Sequence, residues 1–152
     1  MSGAPDPQVL AERVVEGMIA QDGFSAWLGL ELLDLAPGHA TCRMRVRRDM
    51  LNGFGVCHGG VTFSLADSAF AFACNTHGRV TVSIEKSITY PAQVREGDVL
   101  TAVAEEESAG KRLAFFRVTV TNQEAAVVGL FRGTAYPTDR PHPPAAPAGE
   151  RA

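Results

Sequence analysis

The stretch CHGGVTFSLADSAFAFAC, residues 57–74, decides the fold. It is apolar on nearly every side, and Asp67 is the only acidic side chain between Asp49 and Arg79. Its composition reads as a helix running to about Asn75. A helix that is apolar all round has no face to give to water, so other elements must surround it. The flanking sequence supplies them. Cys42, Met44 and Val46 alternate with Arg43, Arg45 and Arg47, the period of a half-buried strand. The same alternation recurs in RVTVSIEKSITY, VLTAVAEEES, LAFFRVTVT and AAVVGLFRGTAY, with breaks at Pro91, Gly97-Asp98, Gly110-Lys111 and Asn122-Gln123. Upstream, DPQVLAERVVEGMIAQD predicts a helix opened by Pro7, and FSAWLGLELLDLAPGHATCRMRVRRDM predicts a hairpin turning at Pro37-Gly38. The expected class is α+β: an antiparallel sheet of five to six strands wrapped around one central helix. Residues 1–137 read as a single domain that includes the N-terminal helix. Residues 138–152 read as a Pro/Ala-rich disordered tail.

Composition narrows the function. The 152 residues suit one domain with a real core, and 45% apolar with 20% charged residues is ordinary for a globular protein. A net charge of −3 gives no general attraction to nucleic acid or to an anionic membrane. The apolar runs are too short to span a bilayer, and no signal peptide opens the chain. The three cysteines are scattered without a CxxC pair, which suits a reducing compartment, so a cytoplasmic location is expected. No ligand spacing suggests a metal, and no cofactor is expected.

The lone carboxylate therefore invites a chemical reading. On a helix Asp67 shares a face with Gly60, Phe63, Ser64, Phe70, Ala71 and Cys74. Burying a carboxylate without partners is costly, so Asp67 must be bonded to a backbone group or to Ser64, or must face a cavity as a base or nucleophile. His58-Gly59-Gly60 stands just before the helix. The first N–H groups of a helix lack internal acceptors, and glycine lets a ligand approach them, so they can hold a developing oxyanion. Asp67 lies seven residues beyond Gly60, roughly 10 Å along a helix at 1.5 Å per residue. One carbonyl carbon does not span that distance, so joint action of the two groups implies a second subunit.

LNGFGVCHGGVTFSLADSAFAFACNTHG resembles the core motif of the PaaI-type hotdog-fold acyl-CoA thioesterases of phenylacetate degradation. VTVSIEKSITYPAQVREGDVLTA and GLFRGTAY fit the same pattern, so the resemblance spans about residues 20–137. It implies a hotdog fold, dimers that join their sheets edge to edge, and pairing of dimers into tetramers. It implies Asp67 as nucleophile or as base for water. The Gly59 amide of the partner chain would polarise the thioester carbonyl, Asn52 would position water or thioester, and His58 would orient the loop. Ser83 matches a position near the acid. Gly60 belongs to the same substrate-binding loop, and Lys111 and Arg112 match positions that contact CoA phosphates. The implied substrates are phenylacetyl-CoA or its hydroxylated forms.

Other candidates are weaker. Cys57 and His58 are adjacent in an extended segment and point to opposite sides, so they do not form a nucleophilic dyad. GFGVCHGG is not a dinucleotide fingerprint, because His58 stands where the third glycine belongs. Arg43, Arg45 and Arg47 read as a solvated strand face, His77 and Gly78 as a helix end, and Trp27, Phe115 and Phe116 as core. Two further activities compete: a non-catalytic acyl-CoA binding module, and dehydration of hydroxyacyl thioesters. Dehydration calls for a histidine one turn from Asp67, and none is there.

Overall fold

The computed structural model describes residues 4–144. Helix α1 spans Pro7–Ile19 and α2 spans Gly23–Leu28. Strands β1 (Glu31–Ala36) and β2 (His39–Arg45) form the first hairpin, turning at Pro37-Gly38. After a 3-10 turn at Arg48–Met50 and a loop comes α3, Gly59–Asn75. The chain then runs through β3 (Arg79–Thr89), β4 (Val99–Ala109), β5 (Ala114–Thr121) and β6 (Val127–Pro141). The six strands form one antiparallel sheet in the order β1-β2-β4-β5-β6-β3.

The sheet wraps α3 as the periodicity predicts. Leu65, Ala66, Ala69 and Ala73 on the helix are fully buried, as are Ala40, Cys42, Leu100, Ala102 and Val120 on the inner sheet face. Phe70 is the centre of the contact. Its ring lies 5.5 Å from Phe116 and 5.7 Å from Phe131, centroid to centroid. It fits because β6 has no side chain at Gly133, where an added Cβ would sit 2.7 Å from the ring. The far end of α3 is pinned by Thr76, whose hydroxyl donates to Ala73 O and accepts the Gly38 N–H, each at 2.8 Å. That bond fastens the β1–β2 turn to the helix. Helix α1 starts at Asp6, whose carboxylate caps Gln8 N–H at 2.8 Å, and buries Ala11, Val14 and Val15. Among the described residues no helix is long and apolar enough to cross a membrane, which says nothing about a β-barrel.

Three expectations need correction. The predicted hairpin starts later than Phe24, because Gly23–Leu28 is helical. Asp22 caps that helix through Ser25 N–H at 2.9 Å, and Gly29, at φ 72°, ends it in the left-handed region. Six residues are too few to show a helical period, so only the caps signal it. The tail is also shorter than expected. Residues 138–141 belong to β6, which pairs Pro137 with Thr81 and Pro141 with Arg79. The rest of the tail beyond 144 lies outside the described residues. Finally, Phe116 is core, but Trp27 and Phe115 are about half exposed. Trp27 stacks on Phe24 and carries the Arg47 guanidinium 5.2 Å above its ring.

One buried polar cluster joins the end of α3 to the sheet. Asn75 accepts Thr81 N–H at 2.8 Å and donates to Ala71 O at 2.8 Å and Thr81 O at 3.1 Å. His142 reaches the same Asn75 oxygen through Nε2 at 2.6 Å. An amide oxygen only accepts, so the imidazole is the donor. Burial holds the His142 pKa below its ordinary 6.5, with a backbone bond at Arg79 partly opposing.

Two predictions follow from this packing. In Gly133→Ala the new methyl group meets a ring already held by two others. Overpacking of this kind costs roughly 1–3 kcal/mol, read as a lower denaturant midpoint with unchanged m-value. For His142, a folded pKa below the unfolded 6.5 means that the unfolded chain binds the proton more readily. Its contribution is full above 6.5 and fades as pH falls through the lower folded value. Thermal melts from neutral to mildly acidic pH should show wild type losing more stability than His142→Ala.

Candidate active site

Helix α3 begins in a tightly tied loop. Asn52 Oδ1 accepts Phe54 N–H at 2.8 Å and Val56 N–H at 3.4 Å, and Asn52 N–H closes the turn on Val56 O at 2.8 Å. Cys57 N–H bonds Val94 O at 2.8 Å and His58 N–H bonds Met50 O at 2.9 Å. The loop thus has little freedom, yet it carries Phe54 93% exposed at its tip.

His58 is the N-cap of α3. Its Nδ1 accepts the Gly60 N–H at 2.9 Å. That bond separates the two glycines. The amide of Gly60, expected to bind substrate, is occupied by its own neighbour. The Gly59 N–H has no acceptor among the described residues. Tyr90 covers Gly59 from the end of β3. Its hydroxyl donates to Gly59 O at 2.7 Å, and a Cβ at Gly59 would stand 3.2 Å from the phenol. Burial raises the Tyr90 pKa, helped by Cys57, so the phenol remains a donor at neutral pH. Gly59, Thr62, Tyr90, Pro91 and Val94 line a cavity of about 370 Å³.

Asp67 opens into a different cavity, of about 350 Å³, lined also by Met18, Phe70, Cys74, Ser83 and Lys86. Asp67 is not lone. Lys86 Nζ donates to its Oδ2 at 2.8 Å, whereas Ser64 bonds Gly60 O instead. The two side chains are 33% and 28% exposed, so the pair sits at the mouth of the apolar wrap. Lys86 reaches it through a β-bulge. Ser83 lies opposite Ala135 and Lys86 opposite Gly133, with Ile84 the extra residue between Ser83 and Glu85. Both side chains therefore face inward although three positions separate them.

The expected residues thus fall into two groups. Asp67 and Ser83 share one cavity, Gly59 lines the other, and Asn52 and His58 shape the loop that leads to Gly59 without lining that cavity. Eight residues of helix separate Asp67 from Gly59, roughly 12 Å at 1.5 Å per residue. Lys111 and Arg112 occupy the exposed β4–β5 turn, outside both cavities. The cross-strand row Ala114–Ala135–Ser83 puts that turn at the Ser83 end of the sheet. Sequence reasoning missed Lys86 and Tyr90. The bulge was the only signal for the first, and a tyrosine before proline is none for the second. The thiols are not candidate nucleophiles. Burial pushes Cys42 and Cys74 up to about 12, and raises Cys57 as well.

Comparison with known proteins fits this geometry. The Thioesterase superfamily family model matches residues 54–128. The acyl-coenzyme A thioesterase PaaI of Escherichia coli K12 is 38% identical over 119 residues, covering 78% of this chain and 85% of that one. Human acyl-coenzyme A thioesterase 13 is 34% identical over 113 residues, covering 72% and 81%. The structure of the E. coli PaaI protein, from the phenylacetic acid degradation operon, superposes with a TM-score of 0.87 at 34% identity, over 90% of this chain and 99% of that one. Smu.793 of Streptococcus mutans UA159, solved bound to acetyl CoA, gives 0.71 at 27% identity over 74% and 90%. A central helix in a six-stranded wrap, and sequence similarity over most of the chain, make it a hotdog-fold thioester hydrolase that belongs to the PaaI-type acyl-CoA thioesterases of the Thioesterase superfamily.

Proposed function

We propose that the enzyme hydrolyses phenylacetyl-CoA or its hydroxylated forms to the free acid and CoA, at a site built from two copies of the chain. The observation that carries this is the separation of the two half-sites. Asp67 and the free Gly59 amide open into different cavities on one rigid helix. A twofold rotation that joins two sheets supplies each cavity with its missing half. Strand β3 offers the edge for that rotation. It ends the sheet, it is eleven residues long, and it exposes Val82 and Ile84. A homodimer formed there, or a tetramer of two such dimers, leaves no bare edge at β3.

In the joined site the thioester carbonyl oxygen rests on the partner's Gly59 N–H. Asp67 then acts in one of two ways. As nucleophile, its oxygen attacks the carbonyl carbon, the C–S bond breaks to release CoA thiolate, and water hydrolyses the mixed anhydride. As base, it takes a proton from water, and the hydroxide attacks while the same thiolate leaves. Asn52, whose NH2 is not used in shaping the loop, and Ser83 position water or thioester. His58 fixes the loop so that Gly59, and not Gly60, presents its amide. We assign Lys111 and Arg112, on the β4–β5 turn at the Ser83 end of the sheet, to the CoA phosphates, and the acyl group to the cavity beside Phe70 and Cys74. Three free thiols suit a reducing compartment, and we place the enzyme in the cytoplasm.

Thiol release from a panel of acyl-CoAs tests the substrate. Aryl-acetyl thioesters should have the highest kcat/KM, and a preference for long aliphatic chains would overturn the choice. Asp67→Asn should lower turnover by a factor on the order of 10² or more with the fold intact, because it keeps shape and removes the base. Near wild-type turnover would remove Asp67 from the mechanism. Subunit sharing has its own test. An Asp67→Ala chain and a chain with a bulky residue at Gly59 are each inactive alone. Co-refolded, half the dimers are mixed and about a quarter of all sites are intact, from the twofold symmetry. If mixed dimers form, as light scattering and mass analysis report, and no activity returns, acid and oxyanion donor belong to one chain.

A further inference from the structure

Lys86 lies in the Asp67 cavity with no part in the reaction so far. Its ammonium donates to Asp67 Oδ2 at 2.8 Å and lies 5.7 Å from the centroid of the Phe63 ring. Oδ1 has no hydrogen-bond partner among the described residues. A carboxylate held at one oxygen cannot spin about its last bond, so its two oxygens cease to be equivalent. Lys86 is itself held firmly. Its strand pairs with β6 at Gly133, the position left bare for Phe70, and the bulge at Ile84 turns it inward. Glu85, its neighbour, faces the other side of the sheet opposite Thr134. Asp67 therefore meets one cation and no competing acid from this strand.

We propose that Lys86 is a positioning residue for hydrolysis: it fixes the Asp67 carboxylate through Oδ2 and leaves Oδ1 as the oxygen that works on the thioester. This rests on the proposed role of Asp67. The bond to Lys86 serves attack and water activation alike, because each uses one oxygen and leaves the other in place. The pair is partly exposed in the single chain, where such a bond adds little to stability. When the partner's loop and the acyl group cover the cavity, water leaves and the same bond strengthens. Its main effect then falls in the closed complex, on turnover and not on folding. A misplacement of about 1 Å at a reacting group can cost 10²-fold in rate.

The test uses the full-length enzyme with phenylacetyl-CoA and thiol release as the readout. Lys86→Met keeps the length of the side chain and removes the charge. It should lower kcat by about 10- to 100-fold, leave KM within about threefold, and melt near wild type. Lys86→Arg should retain more activity than Lys86→Met, because its guanidinium still donates to Oδ2. Ethylammonium should partly restore Lys86→Ala, and tetramethylammonium at equal ionic strength, with no N–H to donate, should not. In the Asp67→Asn background, Lys86→Met should cost nothing further, because the group it positions is already lost. Wild-type kcat in Lys86→Met while Asp67→Asn is inactive overturns the positioning role alone. An active Asp67→Asn overturns the site reading instead. If Lys86→Met melts early, Lys86→Gln and the two amines decide: equal response to both amines also overturns the proposal.

Discussion

Enclosing a helix with no polar face is the constraint from which the other elements follow. Water excluded from most sides of α3 is replaced by protein, chiefly the inner face of one curved sheet, and only the strip around Asp67 stays partly open. The approach of sheet to helix is set at a single crossing, where the Phe70 ring lies against bare backbone at Gly133. A side chain there would hold the two layers apart by the thickness of a methyl group. Strand β3 is bonded to β6 at that same glycine, so the crossing also sets how far Lys86 must reach to meet Asp67.

Polar groups inside the wrap are admitted only with partners. Among the described residues no buried side-chain nitrogen or oxygen lacks a hydrogen bond. Asn75 shows why this matters for the site. Its amide joins the last turn of α3, the first residues of β3 and His142 just past the end of β6. Those bonds fix where β3 starts relative to the helix. The bulge five residues further along then chooses which of its side chains look inward.

The wrap was legible in the sequence because both of its periods are strong. Cys42, Met44 and Val46 face in and their arginine neighbours face out, and each predicted break falls between two strands. The Asp67 and Gly59 positions were legible for a related reason: a charge in an apolar helix and glycines at its start are local signals. What escaped depends on pairing, which no local pattern records. Strict alternation puts Ser83 and Lys86 on opposite faces, and the extra residue at Ile84 reverses that. The Pro-rich end of β6 looked unable to pair. Strand β5 begins opposite Ala135, so beyond that point β6 pairs with β3 alone and is free on its other side, where a proline is tolerated. Nothing in the sequence showed that the His58 ring would occupy the Gly60 N–H.

In the proposed assembly, the same helix has a second consequence. Its first residue serves one active site and its ninth serves the other. The intervening turns pack Thr62, Leu65 and Ala66 against the sheet. A substrate that pulls on the Gly59 amide therefore loads the rod that carries the neighbouring carboxylate. Any coupling of binding between two sites built this way would be reciprocal by thermodynamic necessity. In that assembly each catalytic unit needs both chains, so dissociation of the dimer would remove both sites at once.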